Sequence, residues 1–350
     1  MSFLYYLCFS VQSGIPLLHI LNIFFASFSD LFVTSLSVYF NQTPSRKPRS
    51  NNRMSKYNYK QPENGLSESM MIVRRELGMN EKSVKRDVGR LSKWLKEQPE
   101  LPDKLEGVDT DLWLENYLIM NKNDVERAKE NLATYFQLNS HIPEVMVADR
   151  DPFSRKEMIQ AFETTIVAMM PTTMENGFKV GVFMHRANTL TSEYNPTGMA
   201  MMLTCIADYY LSMGHDFTKI VVVVDLEMLQ LGHLAKYPLR AMRRFFLYAW
   251  KAYPERVAQI NIINPPKILS VALTLFKPFL KQKIRNRIVV HRNLDSLIEN
   301  VPLKYLPKEY GGEYPSLVEL HEEWRTKLAN HQEYFRVRVN KHVTLNTERT

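Results

Sequence analysis

The sequence predicts an α/β fold, a mainly parallel twisted sheet among helices, preceded by a small all-α unit. Three observations lead there. Short apolar runs rich in β-branched residues, at Phe178–Met184, Lys219–Asp225, Gln259–Asn264 and Arg287–His291, alternate with long helical patterns at Asn195–Met213, Lys236–Ala252 and Lys267–Lys283. Strands separated by helices require crossover connections and therefore parallel pairing. The run Ile220-Val221-Val222-Val223-Val224 shows no apolar/polar alternation, as a central strand covered on both faces requires. Upstream of these runs, residues 81–140 hold only helical spacing.

Taken in chain order, residues 1–53 form an apolar and then basic extension. From Met1 to Phe40 its only acid or base besides His19 is Asp30, and Arg46, Lys47, Arg49 and Arg53 follow. A missing positive leader argues against a signal peptide, and Pro16 with Asn22 argues against a clean membrane span. Three readings stand: an upstream extension absent from the working protein, a membrane anchor, or a cleaved signal. Residues 54–80 read as a polar lead-in and 81–147 as a helical domain. In the latter, Val84, Val88, Leu91, Trp94 and Leu95 share a helix face, ended by Pro99 and Pro102. A second helix follows at Asp111–Met120, where Leu112, Trp113 and Leu114 crowd together, and a third at Asp124–Leu138 with Asp124 as N-cap. Ile142-Pro143 and the polar stretch Ala148–Ser154 look like a linker. Residues 148–325 make the α/β domain and 326–350 a tail.

Composition narrows the function classes. The chain has 350 residues, 45% hydrophobic and 23% charged, which fits a globular protein with a sizeable core. Cys8 and Cys205 are the only cysteines, so disulfides are not the staple and four-cysteine zinc sites are impossible. Of the net charge of +8, the first 53 residues carry +3, leaving +5 for the rest. That mild excess is not a nucleic-acid composition, and it fits an anionic membrane surface as well as any other acidic partner.

A search for catalytic chemistry returns little. The sequence has no GxGxxG after a strand, no GxxxxGK[ST] and no GxSxG. His321-Glu322-Glu323 starts like a zinc-protease helix, but Arg325 stands where the second His belongs. Asp225 and Glu227 close a buried strand, where α/β sheets often bind ligands. Their ordinary role is to hydrogen-bond the turn after the strand, and general acid/base work is the rival reading.

Several ordered motifs then converge. VVVVDLE (Val221–Glu227), Tyr253-Pro254 through Asn264 and Pro265, the KPFL…RI segment Lys277–Ile288, and LPKEYGG (Leu306–Gly312) resemble, in sequence and order, the CRAL-TRIO (Sec14-like) lipid-binding family, in its branch of tocopherol and retinal carriers. DVERAKENL (Asp124–Leu132) is similar to that family's N-terminal helical segment. The resemblance spans roughly residues 66–325. It implies a cage of helices around a sheet, an apolar cavity closed by a mobile helix, no cofactor, no metal and no covalent chemistry. The implied function is non-catalytic transfer of a tocopherol, retinoid or phospholipid-class ligand between membranes by a monomeric cytoplasmic protein that visits membranes peripherally, or is anchored there if residues 1–53 are genuine. The rival is a lipid-responsive regulatory module that keeps its ligand.

Carried over residue by residue, the resemblance implies cavity positions at Met199, Met202, Ile206, Ile220, Val222, Val224, Phe245, Tyr248, Ile260 and Ile262. The gate is implied at Pro266–Leu280, with Ile268, Leu269, Ala272, Leu273 and Phe276 on its apolar stripe. A phosphoinositide or anionic-membrane patch is implied at Lys277, Lys281, Lys283, Arg285 and Arg287, with Lys283 and Arg287 one helical turn apart. The chain departs from the family at Ile119, Asn139 and Ala258, where cations are usual, and at Met228, where Gly is usual.

Overall fold

The computed structural model describes residues 67–102 and 105–337, so the extension at 1–53 lies outside the described residues. The helical segment comprises α1 (Glu68–Glu76), α2 (Glu81–Lys96), α3 (Thr110–Met120), α4 (Val125–Phe136) and the short α5 (Leu138–His141). Each long helix starts on a side-chain cap: Asn80 and Ser83 form a reciprocal box, Asp109 caps α3, and Asp124 accepts from Arg127 N at 3.1 Å. The crowded Leu112-Trp113-Leu114 finds its reason in α3, which is buried from Trp113 to Met120 and serves as the axle of the segment.

Then come α6 (Lys156–Thr164), β1 (Thr165–Thr173), β2 (Phe178–His185), α7 (Pro196–Met213), β3 (Lys219–Asp225), α8 (Leu231–Ala235), α9 (Leu239–Ala252), β4 (Val257–Ile263), α10 (Leu269–Phe276), α11 (Gln282–Arg285), β5 (Ile288–Val290), α12 (Leu294–Ile298) and α13 (Leu317–Asn330). The sheet order is β1-β2-β3-β4-β5, with β1 antiparallel to β2 and every other pair parallel. The expected α/β architecture is therefore present.

Four local readings need correction. β1 is absent from the sequence reading because it follows α6 without a turn and contains Pro171, which removes a ladder donor. The fold tolerates that proline on an edge strand beside the register shift between Met169 and Thr173. The helix expected over Lys267–Lys283 stops at Phe276, where Pro278 sits in a 3-10 turn over Lys277–Phe279. A proline there cannot donate to the carbonyl of Thr274. Lys283 lies on α11 and Arg287 beyond it, so the two do not share one helical face. The helix expected from Lys236 begins at Leu239, after Pro238.

The fourth is the polar stretch Ala148–Ser154, which is no solvated linker. Arg150 is fully buried, donating from Nη2 to Asp208 at 3.2 Å and from Nη1 to Thr204 at 3.1 Å. Asp208 also accepts from Tyr135 (3.0 Å) and Tyr253 (2.8 Å). An arginine paired this way can be internal because the fold supplies both a carboxylate and a hydroxyl acceptor. One continuous apolar core includes α3, α4, the packed face of β3 and α13. At either end the lead-in and the tail enter it too: Met70 and Val73 of α1 are buried, Phe335 is fully buried, and Tyr334 accepts from Trp113 Nε1 at 2.9 Å.

The LPKEYGG segment is explained by two contacts. Tyr310 donates to Asp225 Oδ2 at 3.0 Å, which ties the segment to the end of β3. Gly312 lies against backbone: a Cβ there would stand 2.0 Å from Leu306 O, while Gly311 has φ +76°. Gly312→Ala is expected to cost about 1–3 kcal/mol in urea unfolding through overpacking, and Gly311→Ala about 1 kcal/mol through backbone strain.

Candidate functional site: a half-open sheet face under a short apolar helix

β3 lies between two strands, yet its two faces differ. Val221, Val223 and Asp225 are buried, whereas Ile220, Val222 and Val224 are only half-buried. Residues in register continue that second face across the sheet: Gly181 and Ile260 flank Val222, and Phe183 and Ile262 flank Val224. Side chains of a strand alternate between faces, so one face is closed core and the other a looser apolar surface.

Part of that surface belongs to a second apolar cluster, while Ile220 and Phe183 pack against the main core. Val224, Ile260, Ile262 and Ile288 of the sheet meet Leu226, Leu229 and Leu234, and then Ile268, Leu269, Ala272, Leu273, Leu275 and Phe276 at α10. Only Leu226, Leu229, Leu234, Ile262 and Ala272 are buried there; the rest retain exposure. Three implied cavity residues and all five implied gate residues are thus brought together. Ile220, Met199 and Phe245 sit at the edge of the main core, half-buried. Met202 and Ile206 lie inside that core with Val221 and Val223. Tyr248 turns away, stacking on His141 with ring centres 3.8 Å apart and planes within 4°.

Its neighbour Phe246, missed in the sequence, packs flat on Phe279 just beyond α10, 5.9 Å between centres. The signal was the Phe245-Phe246 doublet, of which the pattern picks only one member. Helices α8, α9 and α10 each carry a large apolar side chain that faces solvent: Val271 of α10 is 50% exposed, Leu247 of α9 61% and Leu231 of α8 63%.

Asp225 is committed to structure. Its Oδ1 accepts from Glu227 N and from Asn264 Nδ2, each at 3.0 Å, and its Oδ2 from Tyr310. His321, the first residue of the zinc-protease look-alike, is buried and pinned between Val167 (3.1 Å) and Phe162 O (3.2 Å). Among the described residues, no group of three or more His, Cys, Asp or Glu side chains could hold a metal ion.

The basic patch is wider than expected. Lys277, Lys281 and Lys283 are exposed, Arg285 and Arg287 half-buried, and Arg287 Nη1 donates to Val257 O. Lys122, at the end of α3 with φ 62°, joins them: its ammonium is held below the usual lysine range by burial and then by Lys283, Arg256, Arg127 and Arg287. Arg256 is also paired with Glu76 at 3.0 Å. Beside this group opens a cleft of about 380 Å³ with a mixed lining, apolar at Met174, Phe178, Val221, Ala258 and Val289 and polar at Asn176, Gln259, Asn286, Arg287 and Asn300. Ala258, one of the departures, leaves Arg287 as the charged side chain of the cleft. Ile119, another, is 1% exposed and part of the core, and Asn139 is half-buried on α5. Met228 is accommodated in a turn closed by Leu229 N to Leu226 O at 3.0 Å.

Residues 179–312 match the description "CRAL/TRIO domain", and residues 80–158 match "Pinta-like, UBA domain". Alpha-tocopherol transfer protein-like from Homo sapiens is 29% identical over 220 residues, 62% of this chain and 61% of that protein, and the Mus musculus protein matches to the same extent. The chain therefore spans about three fifths of the length of these relatives. Clavesin-1 from Rattus norvegicus is 40% identical over 65 residues, 18% of each chain. The crystal structure of Sfh5 aligns with a TM-score of 0.44 at 14% identity, over 73% of this chain and 98% of the other.

Proposed function

The chain belongs to the CRAL/TRIO family through residues 179–312, and from that premise we propose that it binds an apolar small molecule or lipid on the half-open sheet face and transfers it between membranes. The observation that carries this reading is the second apolar cluster, where sheet residues and α10 meet without closing into a core. A water-insoluble ligand gains from such a surface what a packed core would otherwise gain. The similarity to proteins named for alpha-tocopherol transfer supports a tocopherol within the proposed ligand class, which also takes in retinoids and phospholipids. No covalent step is part of the proposal.

α10 is the gate. It is eight residues long, bounded by Pro265-Pro266 and Pro278, and it leans on its surroundings through Phe276 against Tyr237 and Phe279 against Phe246. Swinging into a bilayer, it would keep its apolar stripe out of water, as would the exposed Val271, Leu247 and Leu231. Among the described residues no helix is long and apolar enough to cross a membrane, so the contact proposed is peripheral. Lys277, Lys281, Lys283, Arg285 and Arg287, with Lys122, Arg127 and Arg256, supply the attraction to an anionic leaflet, about 1 kcal/mol for each cation near the surface.

Transfer is tested with the full chain and a fluorescent tocopherol analogue moved between vesicles. The proposal expects concentration-dependent transfer that Val271→Asp slows about tenfold without changing binding. Binding without exchange would indicate a protein that retains its ligand. Separately, Lys122→Glu or Lys283→Glu is expected to weaken association with vesicles containing phosphatylinositol bisphosphate about fivefold or more, in a salt-dependent manner, while leaving neutral vesicles unaffected. Equal loss on neutral vesicles in a flotation assay would contradict the patch assignment.

A further inference from the structure

We propose that the stacked pair His185 and His233 is the polar seat of the ligand site, taking the hydroxyl or carbonyl oxygen of an otherwise apolar molecule. This inference rests on the proposed binding function and adds the chemistry of the ligand's polar end.

Position comes first. His185 stands two residues after Phe183 on β2, hence on the same sheet face, and Phe183 is in register with Val224. It lies at the C-terminal end of parallel strands, the end at which α/β sheets bind ligands. The His233 ring of α8 lies over it, 4.0 Å between centres and within 2° of parallel, and Leu234 beside it belongs to the apolar cluster at the gate. Tyr194 closes the side with edge contacts to both imidazoles, at 4.9 and 5.3 Å. Its hydroxyl reaches Tyr237 at 2.5 Å and Met199 Sδ at 3.4 Å, and the Tyr237 ring stands edge-on to Phe276 at 5.0 Å. The pair is therefore linked by contact to a proposed cavity residue and to the proposed gate.

Unmet hydrogen-bonding capacity comes second. Both histidines are 2% exposed. Gln230 N donates to His233 Nδ1 at 3.1 Å, so the neutral ring carries its proton on Nε2. That Nε2–H has no acceptor, and His185 Nδ1 has no partner either, among the described residues. Buried polar atoms are nearly always matched, so two unmatched nitrogens on facing rings call for a group from outside the chain. Burial, and then His233, push the His185 imidazole down to about 3, and burial lowers His233 as well. Both shifts favour the neutral imidazole. A neutral donor beside a second ring nitrogen suits a hydroxyl or carbonyl and offers no counter-charge to a carboxylate or phosphate.

The test uses the full chain and two fluorescent probes, a pyrene-tailed dodecanol and the same pyrene-tailed dodecane. The alcohol is expected to bind about 3- to 10-fold more tightly, the range one neutral hydrogen bond supplies. His185→Phe, which removes one of the two ring nitrogens offered to the alcohol, is expected to narrow that preference. Because His233→Phe also removes the Gln230 contact, the second readout is made on the unmutated protein: ¹⁵N-histidine NMR should show the His233 Nε2 resonance shifting with the alcohol and not with the alkane. Equal binding of both probes, or an unmoved Nε2 resonance when the alcohol is bound, would overturn the seat while leaving the cavity reading in place. Failure of both probes to bind would overturn the cavity reading and the seat with it.

Discussion

Val222→Glu is expected to leave a folded protein that binds an apolar ligand at least 100-fold more weakly, whereas Val223→Glu, one residue along, is expected to unfold it. Val223 is fully buried in the main core, so a carboxylate there has neither water nor a partner and costs about 3–5 kcal/mol or more. Val222 is half-buried on the face shared with Ile260, where an empty site can hydrate the charge. Occupation by an apolar ligand would strip that water away, and the same desolvation then appears as lost affinity, about 2.7 kcal/mol for a hundredfold change. The pair separates a ligand surface from plain core by circular dichroism on one side and a binding isotherm on the other. Equal unfolding by both substitutions would mean that the two faces of β3 are equivalent core.

The second large effect concerns stability. Asp208→Ala is expected to cost about 3–5 kcal/mol in urea unfolding, because it removes the buried carboxylate that Arg150, Tyr135 and Tyr253 share. Against a typical stability of about 5–15 kcal/mol, this leaves little margin at 37 °C. Arg150→Met paired with Asp208→Leu should recover much of the loss, since replacing both members of a buried pair by apolar residues is often neutral. A double variant as unstable as the single one would show that the tyrosine hydroxyls, not the ion pair, dominate the network.

The parts of the structure legible in the sequence are those with a strong local signal. The β3 run of valines marks a central strand, Asp124 marks the start of α4, and LPKEYGG marks a segment whose tyrosine and glycine are both fixed by contacts. The illegible parts depend on partners remote in the chain. Arg150 reads as a surface residue until Asp208, Tyr135 and Tyr253 converge on it. Pro171 argues against a strand until β1 is seen to be an edge. The valine run in β3 shows no periodicity, so Ile220, Val222 and Val224 are singled out in the sequence by the family resemblance alone, and the structure adds that Val221 and Val223 are the buried members. Likewise Lys122 joins the basic patch through a left-handed residue after α3, which charge spacing within Lys277–Arg287 cannot disclose. The histidine pair was invisible for the same reason: His185 and His233 are brought together by the way α8 folds over the end of β2.

The most direct test of the central claim is mass spectrometry of organic extracts from the full chain purified from its native source, beside an equally handled Val222→Glu protein. The account predicts one apolar, oxygen-bearing ligand near one-to-one stoichiometry in the parent and its absence in the variant. A folded parent with no retained ligand, or the same ligand retained equally by both proteins, would contradict it.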